Sequence, residues 1–193
     1  MQDAYIQDKI IDSVDFTLEP LLKGEYANCV FKDCNFANAN FSNFIFSDCE
    51  FNACNLSLVK LARASLLTVK FINCKLLGLR FDTCNEFGLS FSFHNCMLNL
   101  SSFDKKKLKK TRFDQCQLQE CDFTECDLSA VIFDQCDLSN AVFHSTNLEK
   151  ADFRTSVNYT IDPEINRIKK AKFSLQGVTG LLRKYNIEIE GES

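Results

Sequence analysis

The sequence predicts an all-β fold, a solenoid in which the chain winds into a four-sided helix of about seven coils and ends in a short C-terminal helix. Three observations carry this. Stepping by five from Phe16 meets a large apolar residue almost every time, a small residue stands two places before it, and phenylalanines recur every 20 residues.

The large-residue phase runs Phe16, Leu21, Tyr26, Phe31 and onward to Phe81, Glu86 and Phe91, slips by two residues, and resumes at Leu98 to reach Phe153. Of its 28 positions 26 are Phe or Leu, and 15 of the 19 phenylalanines lie on it, so the repeat outranks any local propensity. The small-residue phase holds Ala39, Ala64, Ala141, Ala151 and all 11 cysteines. A period of five fits neither a helix, which repeats near 3.6, nor a strand, which repeats at two. A chain that turns two side chains inward and then bends by a right angle every five residues does fit. Four units close one square coil, with the large residue in the interior, the small one in the crowded space beside it and the other three in water. Seven such coils make a rod roughly 34 Å long at a strand spacing of ~4.8 Å. Residues 20 apart stack, so one face is predicted to carry Phe31, Phe51, Phe71, Phe91, Phe113, Phe133 and Phe153.

The clearest units, Cys126-Asp127-Leu128, Cys136-Asp137-Leu138 and Ala151-Asp152-Phe153, resemble the A(D/N)Lxx unit of the pentapeptide-repeat family, and the resemblance covers residues 14–173. It implies a right-handed quadrilateral β-helix, often dimeric through its C-terminal end. The expected organisation is an N-terminal cap over 1–13, the β-helix over 14–173 with an irregular loop near 85–97, and a capping or dimerisation segment over 174–193. In the first of these, Tyr5, Ile6, Ile10 and Ile11 would cover the open first coil, whose terminal edge and apolar surface need protection. In the last, Ser174 would cap a helix over 174–185 with Leu175, Val178, Leu181, Leu182 and Tyr185 on one stripe. Ile187 and Ile189 then alternate with Glu188 and Glu190 like a short strand.

The net charge of −4 does not mark a general nucleic-acid binder. No run of about 18 apolar residues exists to cross a membrane. Residues 1–11 carry Asp3 and Asp8 without a basic start and apolar core, which does not read as a secretory signal, so a cytoplasmic location is expected. The cysteines include no Cys-x-x-Cys pair, and Cys116, Cys121 and Cys126 fall on successive sides, against a metal site. Stacked cysteines such as Cys34, Cys54 and Cys74 come within disulfide range. Parallel side chains in a ladder hold the sulfurs apart, however, and a cytosol keeps them reduced. Cysteine in this strict phase therefore reads as a small buried group standing in for alanine. The only histidines, His94 and His144, are fifty residues apart. No glycine-rich phosphate loop or nucleophile elbow is present, and a filled interior leaves no pocket of ligand size. No enzyme, cofactor or metal is expected.

The irregular places supply the candidate sites. Glu86 falls on the core phase beside the two-residue slip, which marks a bulge where Phe87 and Phe93 stand off phase, either as an exposed aromatic contact or folded back on the rod. Lys106 falls at an inward position, and a buried unpaired lysine is costly, so the backbone is expected to bulge outward there. With it, Lys105, Lys107, Lys109, Lys110 and Arg112 form a basic belt of six that either meets an acidic partner or is simply solvated. Charge is sorted along the chain, at −6 over 1–59, +8 over 60–112, −8 over 113–149 and +2 over 150–193. The acidic block includes Asp114, Glu120, Asp122, Glu125, Asp127, Asp134 and Asp137. Resemblance to the Qnr-type members of the family, which mimic B-DNA and bind DNA gyrase or topoisomerase IV, implies a type II topoisomerase as partner. Two features weigh against it: the acids lie on all four sides, and the basic belt interrupts any phosphate-like stripe. The expected function is a non-catalytic scaffold for a protein partner that the sequence does not name, homodimeric through the C-terminal end. The alternatives are a DNA mimic that protects a topoisomerase from quinolones and direct nucleic-acid contact through 105–112.

Overall fold

The computed structural model describes residues 4–190. Its strands are β1 (Ala4–Gln7), β2 (Ile10–Asp12), β3 (Gly24–Ala27), β4 (Val30–Lys32), β5 (Ile45–Ser47), β6 (Glu50–Asn52), β7 (Ser65–Leu67), β8 (Val69–Ile72), β9 (Phe91–His94), β10 (Arg112–Asp114) and β11 (Ile132–Asp134). All pair in parallel. One side of the solenoid is the sheet β1-β3-β5-β7, and the next is the sheet β11-β10-β9-β8-β6-β4-β2. The other two sides are joined by single bridges such as Asn35↔Asn55 and Ser102↔Asp122. The stacking distance is 20 residues, as in Phe31↔Phe51 and Phe51↔Phe71.

Each five-residue unit bends the same way because the residue two after the large one takes a left-handed conformation. Asn28, Asp33, Asn38, Asn43 and Asp48 all have φ between 49° and 63°. Asn and Asp tolerate this region better than other residues with a Cβ. The Asp or Asn that precedes the large residue has its own task. Its Oδ1 accepts a hydrogen bond from the backbone N–H two residues on, as from Ala37 to Asn35 (3.2 Å), Thr124 to Asp122 (2.9 Å), Ser129 to Asp127 (3.1 Å) and Ser139 to Asp137 (3.1 Å). These side-chain turns fix the corner that opens each unit.

The interior is two ladders of rings. Phe31, Phe51, Phe71, Phe93, Phe113, Phe133, Phe153 and Phe173 stack at 4.7–5.4 Å between centroids. Phe81, Phe103, Phe123 and Phe143 stack beside them and meet them edge to face. The member between Phe71 and Phe113 is therefore Phe93, not Phe91. The two extra residues enter over 86–90, ahead of Phe91, so that Val69 pairs with Phe91 and Phe71 with Phe93. Phe91 takes the small-residue site and is buried there.

Cysteine does more at the small site than alanine would. All 11 thiols are free and buried. Most donate to the carbonyl of the large residue one coil below, as Cys74 Sγ to Phe51 O (3.2 Å), Cys121 Sγ to Leu98 O (3.1 Å) and Cys126 Sγ to Phe103 O (2.8 Å). Ser101, Thr146, Ser156 and Asn166 stand in the same phase and make the same bond at 2.8–3.0 Å. Burial raises the Cys84, Cys121 and Cys126 thiols from 9.0 to about 12, so they stay protonated.

The ends differ from expectation. The seven coils of 16–153 are present, but 4–12 adds two further sides, half a coil, rather than a cap. β1 and β2 pair in register with β3 and β4. The phase simply continues backward from Phe16 to Ile11 and Ile6, which turn inward, while Tyr5 and Ile10 face solvent. Nothing among the described residues covers this end, where Ile6, Ile11, Phe16, Leu21, Leu22 and Tyr26 line an apolar cleft of about 490 Å³. At the other end the solenoid runs on to the bridge Asp152↔Lys172. The segment 174–185 is two short 3-10 turns, Gly177–Leu181 and Arg183–Tyr185, instead of one helix. Ser174 does cap it, Oγ accepting from Gly177 N–H (3.0 Å). Two glycines explain the difference. They are poor helix formers, and they sit so tightly on Tyr159 that a Cβ at Gly177 would fall on its hydroxyl and one at Gly180 on its carbonyl oxygen. Residues 186–190 form no strand.

Candidate interaction surface

The loop over 86–90 interrupts the side of the solenoid formed by β1, β3, β5 and β7. The sheet stops at β7, directly below the loop, and bridging on this side resumes only at Lys107↔Asp127. Phe87 stands at the loop, 86% exposed, with its N–H bonded to Asn85 Oδ1 (3.3 Å). Phe93 belongs to the interior ladder and is not a contact residue. Leu89 folds back and packs against the core.

Glu86 does not enter the core, and Lys106 does not bulge outward. Lys106 keeps its inward position, only 4% exposed, with Nζ donating to Cys84 O (3.1 Å) and paired with Glu86 Oε1 (3.4 Å). The carboxylate lies at the surface and the ammonium reaches it from within. The two charged residues that break the phase thus satisfy each other, and the contact ties the base of the Phe87 loop to the coil above. Each was visible in the sequence as a violation. The missed signal was that, once the slip is counted, Lys106 stacks on the unit of Cys84 and Glu86.

The same stacking brings the basic belt against the acidic block. Lys105 pairs with Asp104 (3.5 Å) and Glu125 (3.9 Å), Lys109 with Asp127 (3.2 Å) and Arg112 with Asp134 (2.6 Å). Asp114 Oδ2 lies 2.8 Å from His94 Nδ1 on the coil below and accepts from it when that nitrogen carries its proton. Lys107 and Lys110 are exposed and form no ion pair among the described residues. Among the acids, Asp122 and Asp127 are held as turn acceptors. Burial alone would raise the Asp137 carboxyl, but hydrogen bonds from Ser139, Asn158 and Gln119 together bring it down to about 2. Glu120 and Glu125 remain exposed. Three bases of the belt are therefore paired with acids of the following coil, and Lys107, Lys110 and Glu120 are not, among the described residues.

The apolar stripe of the C-terminal segment is divided. Val178, Leu181 and Leu182 are half-buried on their own last coil, beside Tyr159 and Phe173. Leu175 is 89% exposed, and Tyr185 turns its hydroxyl to Glu164 Oε1 (2.9 Å). Lys184 bridges Asp162 (2.7 Å) and Glu164 (2.6 Å), which locks this segment on the end of the rod. No helix among the described residues is long and apolar enough to cross a membrane.

The chain matches the family Pentapeptide repeats (8 copies) over residues 29–66 and the family Pentapeptide repeat region over residues 89–159, together more than half its length. No protein with a curated description matches it in sequence. Among solved structures it is similar to trypsin-treated QnrB1, a plasmid-mediated fluoroquinolone resistance protein, with a TM-score of 0.74 and 18% identity, covering 98% of this chain and 92% of that one. Full-length QnrB1 gives a TM-score of 0.55 at 16% identity, covering 95% of this chain and 100% of that one. HetL, a pentapeptide repeat protein involved in heterocyst differentiation regulation from the cyanobacterium Nostoc sp. strain PCC 7120, gives 0.50 at 14% identity, covering 91% and 88%. At these identities the likeness establishes the fold alone. With the five-residue phase, the parallel 20-residue register and both family matches in agreement, the chain belongs to the pentapeptide-repeat proteins.

Proposed function

We propose that this protein is a non-catalytic scaffold in the cytoplasm that binds a protein partner through the side carrying the Phe87 loop. The observation that supports this most is a large apolar side chain held out in water, on a loop whose base is fixed by the buried Lys106. An exposed aromatic on a positioned loop is the usual form of a binding residue on a rigid frame. Lys107 and Lys110 lie on the next coil of the same side and add uncompensated positive charge, which suits an acidic partner surface. Affinity capture from native cell extract with the intact chain, Phe87→Ala and Lys107→Glu/Lys110→Glu tests it. A partner that is retained at unit stoichiometry by the intact chain and lost with both variants is expected. A partner held equally by all three would refute this choice of surface.

A second reading, a DNA mimic acting on a type II topoisomerase, draws on the stretch 113–149, which contains eight acids and no base. It is weakened by the pairing of Asp127 and Asp134 with Lys109 and Arg112. A gyrase supercoiling assay with and without a quinolone decides it, and absence of both protection and inhibition would eliminate it. Direct nucleic-acid contact through 105–112 is disfavoured because three of its bases already have carboxylate partners.

A further inference from the structure

We propose that the open N-terminal end of the rod, its outermost turn over 4–22, docks on the same end of a second copy of this chain, joining two rods about a two-fold axis. The two ends are built differently. At the last coil Val178, Leu181 and Leu182 are folded onto the rod, and Lys184 holds them there through Asp162 and Glu164. At the first, nothing among the described residues covers Ile6, Ile11, Phe16 and Leu21, and β1 and β2 are the outermost strands of their sheets. Open strand edges around an apolar floor call for a cover.

Lys9 and Glu19 say what the cover is. They stand two residues before Ile11 and Leu21, in the small inward phase, where the next coil has Cys29 and Ala39. The only other charge in that phase is Lys106, which Glu86 pairs from the neighbouring coil. Lys9 and Glu19 both line the cleft, are exposed, and form no ion pair among the described residues. They sit two sides apart, at opposite corners of the turn. The end therefore carries one unpaired charge of each sign. A two-fold that brings the Lys9 corner of one copy onto the Glu19 corner of the other makes both pairs at once, because every contact of such an interface occurs twice. The same rotation lays β2 antiparallel along 14–17 of the partner and closes the two apolar floors on each other. Residues 1–59 carry a net charge of −6, which opposes the approach of two such ends. The acids nearest the end, Asp8, Asp12 and Asp15, do not line the cleft, however, and Asn28, Lys32 and Thr17 hold their carboxylates; the remaining base, Lys23, also lies outside the cleft. Their repulsion is screened at physiological ionic strength, where the Debye length is about 8 Å. Burial of the floor then drives the association, and the crossed pairs fix its orientation. A two-fold contact closes at a dimer instead of growing into a filament, and it leaves the Phe87 side of both copies free, so it does not depend on the surface proposed above.

Analytical ultracentrifugation of the full chain over a concentration series tests this, with Lys9→Glu, Glu19→Lys, both changes in one chain, and Leu22→Asp in the apolar wall. All three positions are exposed, and circular dichroism verifies that each variant keeps its fold. The intact chain is expected to dimerise reversibly. Each single reversal turns two attractive contacts into repulsive ones and should weaken the dimer by about tenfold or more, and both changes in one chain should recover it. An equimolar mixture of the two singly reversed chains should recover it too, because both crossed pairs are then restored between unlike copies. Leu22→Asp should abolish it. A monomer at every concentration would overturn the proposal. So would a dimer that neither reversal moves, or one that Leu22→Asp leaves intact and Leu175→Asp at the C-terminal end breaks.

Discussion

Phe87 and Phe93 separate two accounts of the irregular region, because the sequence alone treats them as equivalent off-phase aromatics. Phe93 is 1% exposed, stacked on Phe71 (5.3 Å) and Phe113 (5.2 Å) and met edge-on by Phe81 (5.7 Å) and Phe103 (6.2 Å). Truncating a buried Phe to Ala costs about 3–5 kcal/mol, the spread reflecting how far the site collapses. Here it cannot collapse far. The coils above and below are held apart by the parallel register of β8, β9 and β10, and the rings on either side stay where the backbone puts them. Phe93→Ala should therefore fall near the upper end, at about 4–5 kcal/mol. Phe87→Ala removes a ring already in water and should change stability by less than about 0.5 kcal/mol. Urea unfolding followed by far-ultraviolet circular dichroism measures both. Equal effects, or a neutral Phe93→Ala, would refute the placement of the two extra residues over 86–90.

Three further outcomes follow from particular contacts. Gly180→Ala drives a Cβ into the Tyr159 backbone and should destabilise by about 1–3 kcal/mol, seen as faster tryptic cleavage at Arg183 and Lys184. Thr68 is β-branched yet holds a corner at φ 58°, so Thr68→Asn should stabilise by about 0.5–1 kcal/mol in thermal melts, and a loss would contradict the strain. Stability should also fall at both extremes of pH. Asp137, brought down from 3.8 to about 2 in the folded chain, stabilises above 3.8 and loses that contribution as pH drops toward 2. Cys84, Cys121 and Cys126, raised from 9.0 to about 12, favour the fold below 9 and lose that contribution as pH rises toward 12. Melting temperatures that stay flat across both windows would contradict these environments.

The coil architecture was legible because five-residue spacing dictates it: Phe31, Phe51 and Phe71 could stack only if 20 residues closed a turn. What escaped was decided by neighbours that the period does not encode. Ile6 and Ile11 lie on the phase, but a β-branched residue ahead of Phe16 carries less weight than a phenylalanine, so the sequence alone suggests a cap. The period places the slip near 85–97 and after Phe91, because both Phe91 and Phe93 satisfy a hydrophobic template and only strand pairing chooses between them. Lys106 and Glu86 were seen singly, each as a defect, whereas their meaning lies in the contact between coils. The helix expected over 174–185 was read from an apolar stripe, and the close approach of Gly177 and Gly180 to Tyr159 overrode it. For the candidate surface, the sequence supplied Phe87 and the lysines, and the fold supplied the fact that they share one side.

The fold requires above all that one interior phase stay dry along the whole rod. Titration of thiols with Ellman's reagent reads this directly, since all 11 cysteines occupy the small inward site. The native protein should show no promptly reacting thiol, and 11 should appear once it is unfolded in denaturant. Several thiols reacting at once in the native state, or zinc released on their modification, would contradict the register on which every assignment here rests.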